Sequence, residues 1–255
     1  ERVRGQARER RGGRGGESGR FVRGGGAVAL QARLHIAADG TVTVLCGKVE
    51  CGQGSRAELA QAAAEELHMH AGNVEMMLCD TQLTPNDGGT YGSQTTPRTI
   101  PTIREAAAAA REILIGLACT QWGVPVSEVQ ARNGAIVHAA SKRSISYGAL
   151  AGNEALVKAF AAVPRNATLT PTARWNVMGT SFARRDAADL VNGRHLYPTD
   201  IVRPGMMYGQ VLRAPTYTGT LKEVDLTAAN GIAGVKAIRD GDFAGVAAPN
   251  TALAQ

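Results

Sequence analysis

The chain has 255 residues, 44% of them hydrophobic and 20% charged, which suits one large globular domain or two modest ones. The formal net charge is +6, but residues 1–26 hold eight Arg against three Glu and so carry +5 of it. The remainder is close to neutral, which argues against a nucleic-acid-binding surface on the folded body. No apolar stretch reaches the roughly 18 residues of a membrane span. Arg10-Arg11 has no apolar segment behind it, so no complete secretory signal is visible. A chain that opens on Glu1 leaves room for a leader that has been removed. Four cysteines, Cys46, Cys51, Cys79 and Cys119, are too few for a disulfide scaffold and read as free thiols, mostly buried.

Residues 1–26 read as a flexible basic Arg/Gly tail that lacks the apolar side chains a core needs. Arg11-Gly-Gly-Arg14-Gly-Gly and Arg23-Gly-Gly fit either a solvated extension or an RNA-binding tract. From Ala27 the pattern becomes globular. Residues 34–36 and 41–45 flank Asp39-Gly40 and predict two strands joined by a hairpin turn. Leu59, Ala62, Ala63 and Leu67 are spaced for a helix over 58–70. A strand is expected over 73–79, then a polar loop over 80–101. The clearest helix is expected over 102–122, with Thr102 as its cap and Glu105 at capping-box spacing. A strand at 135–138 and a helix over 147–163 close a first domain, 27–163. A linker follows at 164–171. Short strands at 207–213, 221–226 and 235–239 then define a second domain, 172–255.

Two loops carry the chemical signal. The first, Gly47-Lys48-Val49-Glu50-Cys51-Gly52-Gln53-Gly54, joins a strand to a helix. Gly52 and Gly54 permit close approach of a bulky ligand, Gln53 can donate and accept hydrogen bonds, and the following helix offers backbone N–H groups. A plain strand-to-helix connection explains the same residues. The second runs Asp87-Gly88-Gly89-Thr90-Tyr91-Gly92-Ser93-Gln94-Thr95-Thr96-Pro97-Arg98. Its density of donors and glycines suits an anionic, hydrogen-bond-rich ligand, or an ordinary surface loop with Asx- and Ser/Thr-turns. The five histidines show no metal-ligand spacing, and Cys46 and Cys51 lack a second pair to complete a four-sulfur site.

Taken together, TVTVLCGKVECGQGSRAELAQAAAEEL (41–67), DTQLTPNDGGTYGSQTT (80–96) and REAAAAAREIL (104–114) resemble the molybdenum-binding part of the xanthine dehydrogenase/aldehyde oxidase family. Within it, the chain looks most like the large (beta) subunit of isoquinoline 1-oxidoreductase-like and membrane-linked aldehyde dehydrogenase enzymes. Residues 178–248 look like that family's α/β hammerhead domain. The resemblance covers 28–255 and leaves the tail outside.

It implies an α+β protein: a molybdopterin-binding α/β portion followed by a hammerhead-like portion that is incomplete. The implied activity is oxidation of an aldehyde or N-heterocycle with water as oxygen source, in a multi-subunit molybdenum-dependent oxidoreductase. Gly52, Gln53, Gly54, Gly92, Ser93, Gln94, Thr95 and Thr96 would hold a molybdenum–pterin cofactor, in its cytosine dinucleotide form, and none ligates the metal directly. The family's general-base Glu has no counterpart here and is expected on another polypeptide; Glu50 and Glu65 do not fill that role. The implied partners are a remaining large-subunit polypeptide, a small subunit carrying [2Fe–2S] clusters, a cytochrome c acceptor and a small-molecule substrate, with no nucleic acid. The implied location is the periplasm or the periplasmic face of the membrane, with the cytoplasm as alternative. Two other readings are a non-catalytic assembly subunit that has lost the cofactor, and an RNA-binding protein acting through the tail.

Overall fold

A computed structural model describes residues 28–163 and 166–255. The expected basic tail at 1–26 and the first two residues of the expected linker lie outside the described residues. The chain divides into two compact units, Glu1–Ala187 and Ala188–Gln255. Residues 166–171 of the expected linker fall within the first of them.

In the first unit, β1 (Leu34–Ile36) pairs antiparallel with β2 (Val42–Cys46), and β2 pairs in parallel with β3 (Val74–Leu78). A crossover helix, α1 (Ser55–Leu67), joins the two parallel strands. The burial of β2 alternates, with Val42, Val44 and Cys46 facing the core, as period-2 patterning requires. A long helix, α2 (Ile100–Trp122), packs on α1. Both helices are rich in alanine at the contact: Ala60, Ala62 and Ala63 on one, Ala106, Ala107 and Ala110 on the other, all buried. Small side chains let the helix axes approach closely, while Leu59, Leu67, Ile103 and Leu114 fill the remaining space.

Beyond α2, β4 (Val129–Arg132), β5 (Ala135–His138) and β6 (Arg143–Ser146) form an antiparallel meander. Two short helices follow, α3 (Tyr147–Ala151) and α4 (Glu154–Phe160), in place of the single helix expected over 147–163. Gly152 ends the first, and Asn153 starts the second by accepting from the Ala155 N–H. The expected cap of α2 is also corrected. A π-helical turn at Thr95–Thr99 leads into a helix that begins at Ile100, and the Thr102 hydroxyl donates back to the Arg98 carbonyl at 3.3 Å. Thr102 is therefore already inside the helix. Pro101 in the first turn costs no hydrogen bond there.

Residues 168–180 are strapped across the helices by side chains on α1. Glu65 accepts from the N–H groups of Asn176, Val177 and Met178, at 2.7–3.1 Å. Gln61, one turn earlier on the same face, donates to the carbonyls of Val177 and Thr180. Glu66, fully buried, binds Arg104 and Arg111 of α2 and the Thr170 N–H. These carboxylates are buried because they are fully partnered.

The second unit holds α5 (Ala187–Val191, whose first residue belongs to the first unit), β7 (Tyr208–Val211), α6 (Thr227–Asn230), β8 (Lys236–Asp240), β9 (Phe243–Ala248) and α7 (Thr251–Ala254). β9 is the middle strand of an antiparallel sheet ordered β7-β9-β8. The strand expected over 221–226 does not form. The central strand comes instead from 243–248, where Gly245, three alanines and a valine conceal the usual period-2 signal. The whole is mixed helix and strand with three small sheets among the described residues.

Candidate functional site

Because β2 and β3 are neighbours and parallel, their carboxyl ends lie at the same edge of the sheet. The loop after β2 (47–54) and the loop after β3 (79–99) therefore emerge side by side. The carboxyl edge of a parallel sheet is the usual seat of a ligand in α/β folds.

The two loops are joined. Lys48 Nζ donates to the Gly89 carbonyl at 2.8 Å, and the Val49 N–H donates to the Thr90 hydroxyl at 2.8 Å. Thr96 donates to the Glu58 carboxylate on α1. Deeper in, Arg33 makes a bidentate pair with Asp87, both distances 2.7 Å, and the Gly47 N–H donates to the same carboxylate. Arg33 is only 2% exposed and its Nε finds no acceptor among the described residues. Burial pushes the Asp87 carboxyl up, but the Arg33 guanidinium and the Gly47 N–H outweigh it and hold it below its ordinary value. Sequence reasoning missed Arg33 and Asp87 as a pair. They stand 54 residues apart, Arg33 just before β1 and Asp87 in the second loop, and neither position carries a pattern that would pair them.

Gly47 shows why the loops can lie so close. A Cβ there would stand 2.3 Å from the Pro85 carbonyl oxygen. Any other residue would push the second loop away.

The tip of the first loop is held by Glu50. Its carboxylate accepts from the N–H groups of Gly52, Gly54 and Arg56, each at 2.9 Å. Burial raises its pKa, but these three N–H groups and Arg184 lower it more, so the net shift is downward. This corrects one expectation. The N-terminus of α1 is not open to an anionic ligand, because Glu50 already sits on it.

Gln53 is exposed at the tip. Its amide donates to the Val49 carbonyl at 2.7 Å and to the Ser55 hydroxyl at 3.2 Å, and accepts from the Cys51 N–H. Gly52 and Gly54 adopt φ of 99° and 84°, and a Cβ on either would meet nothing within 4 Å. The turn thus offers open backbone and one polar side chain to whatever lies above it. In the second loop, Gly92 and Ser93 both have positive φ, 58° and 54°. Gln94 donates to the Gly92 carbonyl at 2.8 Å, and Thr95 and Thr96 open the π-helical turn. Gly92, Ser93 and Thr96 are exposed, with Gln94 and Thr95 half-buried. Open glycine backbone with exposed amide and hydroxyl groups fits a large polar, anionic group such as a pterin phosphate.

Among the described residues no group of three His, Cys, Asp or Glu could hold a metal ion. Cys46 is buried, with its thiol pushed up to about 12 by burial, and Cys119 is buried as well; Cys51 and Cys79 are exposed, so the thiols are evenly divided. A cavity of about 670 Å³ lies at the far end of α1, between β4 and the strap, lined by His68, Met69, Arg132, Asn133, Thr170 and Arg174 among others. A 13-residue helix separates it from the Gly-Gln-Gly turn by about 18 Å, so it is no part of this site.

Residues 3–196 match the family described as Molybdopterin cofactor-binding domain, and the chain belongs to that family. The match begins inside the basic tail, further toward the start than the resemblance at 28–255. The beta subunit of isoquinoline 1-oxidoreductase from Brevundimonas diminuta is 28% identical over 82% of this chain and 31% of that protein. A nicotinate dehydrogenase subunit from Pseudomonas putida is 30% identical over 84% of this chain and 18% of that protein. Among solved structures, quinoline 2-oxidoreductase from Pseudomonas putida 86 is 26% identical over 53% of this chain and 17% of that one, with a TM-score of 0.41. The chain spans less than a third of the length of these curated relatives.

Proposed function

We propose that this chain is the cofactor-holding portion of the large subunit of a molybdenum hydroxylase. The supporting observation is the meeting of the two loops at the carboxyl edge of β2 and β3, locked by Lys48–Gly89 and Val49–Thr90. In this reading Gly52, Gln53 and Gly54 cover one side of a molybdenum–pterin cofactor, and Gly92, Ser93, Gln94, Thr95 and Thr96 the other. The cytosine dinucleotide form is the one proposed. When bound, that group supplies the redox chemistry that oxidises an aldehyde or N-heterocycle with water as oxygen source. The protein's part is to orient the group: the glycines clear the way for it, and Gln53 turns outward to hydrogen-bond its edge.

The similarity to named subunits of oxidoreductases supports work in a complex. The proposed partners are a further large-subunit polypeptide that brings the general-base Glu, a [2Fe–2S] subunit that takes the electrons, and a cytochrome c beyond it. Residues 172–255 are read as a hammerhead-like domain, and the periplasm or its membrane face as the location.

Replacing Gln53 by Ala in the assembled enzyme tests the site. An exposed turn residue costs little stability, under about 1 kcal/mol. A hydrogen bond made toward the reacting group and lost in the transition state, about 1–3 kcal/mol, lowers turnover per bound molybdenum roughly tenfold to a hundredfold. Unchanged turnover per molybdenum, beside an unchanged melting temperature, removes Gln53 from the site.

A further inference from the structure

The Gly-Gln-Gly turn is held from a second direction, by a residue 132 positions downstream. Arg184 Nη1 donates to the Gly52 carbonyl at 2.8 Å. The same guanidinium is gripped by Asp186: Nε to Oδ1 at 3.0 Å and Nη2 to Oδ2 at 2.8 Å. Nη2 also stands 4.0 Å from the Glu50 carboxylate. The next residue, Arg185, fastens the same segment to the start of β3, donating to the Gly72 carbonyl at 2.8 Å and pairing with Glu75. Glu50, Arg56, Phe182, Arg184 and Asp186 line a small crevice with room for about one water molecule.

The arrangement divides the work. Glu50 fixes the N–H groups of the turn from within the loop, while Arg184 fixes a carbonyl of the same turn from outside it. Gly52, with φ of 99° and no side chain, lacks the restriction that a Cβ would impose on the turn. It is also the point where both restraints act. Only a guanidinium can meet this geometry, because two of its donors lie parallel for the carboxylate and another remains for the carbonyl. A lysine could reach one partner at a time.

We propose that Arg184, oriented by Asp186, is a positioning residue that sets the conformation of the Gly52-Gln53-Gly54 turn and through it the direction in which Gln53 is presented. Its bearing on the cofactor rests on the function proposed above; its bearing on the turn does not. The pair lies immediately before the boundary between the two compact units, at Ala187. The turn is therefore tuned by a segment whose sequence looks unrelated to the cofactor loops.

The test uses Arg184→Lys and Asp186→Asn in the intact molybdenum-containing protein. Hydrogen exchange is followed in peptides covering 49–56, with peptides from 103–118 in α2 as internal reference. Arg184→Lys is expected to speed exchange at 49–56 by about tenfold and leave α2 unchanged, because only a local opening is made easier. Asp186→Asn should give the same pattern, smaller. Molybdenum content stays the same while the paramagnetic signal of the partly reduced metal shifts. Unchanged exchange at 49–56, or an equal rise in α2, overturns the proposal. Faster exchange at 49–56 with an unaltered metal signal upholds the positioning of the turn and instead removes the turn from the cofactor.

Discussion

The two units spend their apolar residues in opposite ways. In the first, Leu30, Leu34, Leu59, Leu67, Ile103, Leu114, Ile136 and Leu150 are all buried to 2% exposure or less, around two alanine-faced helices. In the second, the buried apolar residues among the described ones are Ala237, Ala244, Ala248 and Ala254. Of its larger side chains, Val191, Leu196, Val202, Leu212, Tyr217 and Phe243 are exposed, and Tyr208, Leu221, Leu226, Val235 and Val246 are half-buried. Burial stabilises in proportion to the area removed from water, about 25 cal/mol per Å², so an alanine-only core contributes little. The first unit can hold two loops in fixed register because a full core and buried ion pairs stand behind them. The second has the hydrogen-bonded sheet with much less side-chain burial, and its exposed apolar surface is of the kind that marks a contact region.

The largest expected effect lies where the first unit commits buried charge. Asp87→Asn leaves the Arg33 guanidinium buried without its counter-ion, and breaking such a pair costs about 3–5 kcal/mol. The folded carboxyl lies below its unfolded value, so its contribution is complete above about pH 4 and is lost as pH falls through the folded pKa. The melting temperature of the wild-type protein should therefore drop on acidification below about pH 4. In the variant it starts lower and loses this component of the drop. Equal acid slopes in the two proteins would show that Asp87 does not carry this contribution.

The comparison sharpens with a matched pair of truncations. Ile136 of β5 is fully buried, whereas Ile238 of β8 is 48% exposed. Both are strand isoleucines, so β-propensity lost on changing to alanine is common to both. Ile136→Ala also opens a cavity and should cost about 2–5 kcal/mol in a denaturant melt, while Ile238→Ala should cost under about 1 kcal/mol. If the two cost the same, the second unit is packed more fully than its side-chain exposure indicates.

The same contrast explains what the sequence disclosed. α1 and β2 were legible because apolar residues recur at helix and strand spacing, as at Leu59, Ala63 and Leu67, or Val42 and Val44, and α2 because its alanine run favours helix; the parallel pairing of β2 with β3 was not foreseen. The candidate loops were legible because glycines and donors cluster in them. The agents that hold those loops were not. Arg33 and Asp87, Glu50 on the start of α1, and Arg184 on Gly52 are each single polar residues with nothing periodic about them, and three of the four find partners far away in the chain. Glu50 looked ordinary because its partners are backbone N–H groups, which leave no trace in the side-chain pattern. The strap over α1 was concealed in the same way, since Glu65 binds three N–H groups rather than a cation. In the second unit, β9 is built from small residues, so the strand that centres the sheet was the one least visible.

The smallest expected effect compares two tyrosines. Tyr147, at the start of α3, is fully buried and donates at 2.6 Å to the carbonyl of Leu67, the last residue of α1. That carbonyl belongs to a helix end, where intrahelical donors have run out, so the phenol supplies a partner the backbone cannot. Tyr147→Phe keeps the ring and removes only this bond, which is worth about 1 kcal/mol. Tyr217 of the second unit is fully exposed, and Tyr217→Phe should leave the melt unchanged. Alkaline pH separates the two further. Burial raises the Tyr147 phenol above its unfolded value, so the fold disfavours the phenolate, and the stability that depends on a protonated phenol is lost as pH rises above about 10. The Phe variant has no such group and should lose less stability between about pH 10 and 12 than the wild type. A melting temperature for Tyr147→Phe that equals the wild type at neutral pH and falls in parallel with it above about pH 10 would mean that the Leu67 carbonyl has another donor and that the phenol reaches water.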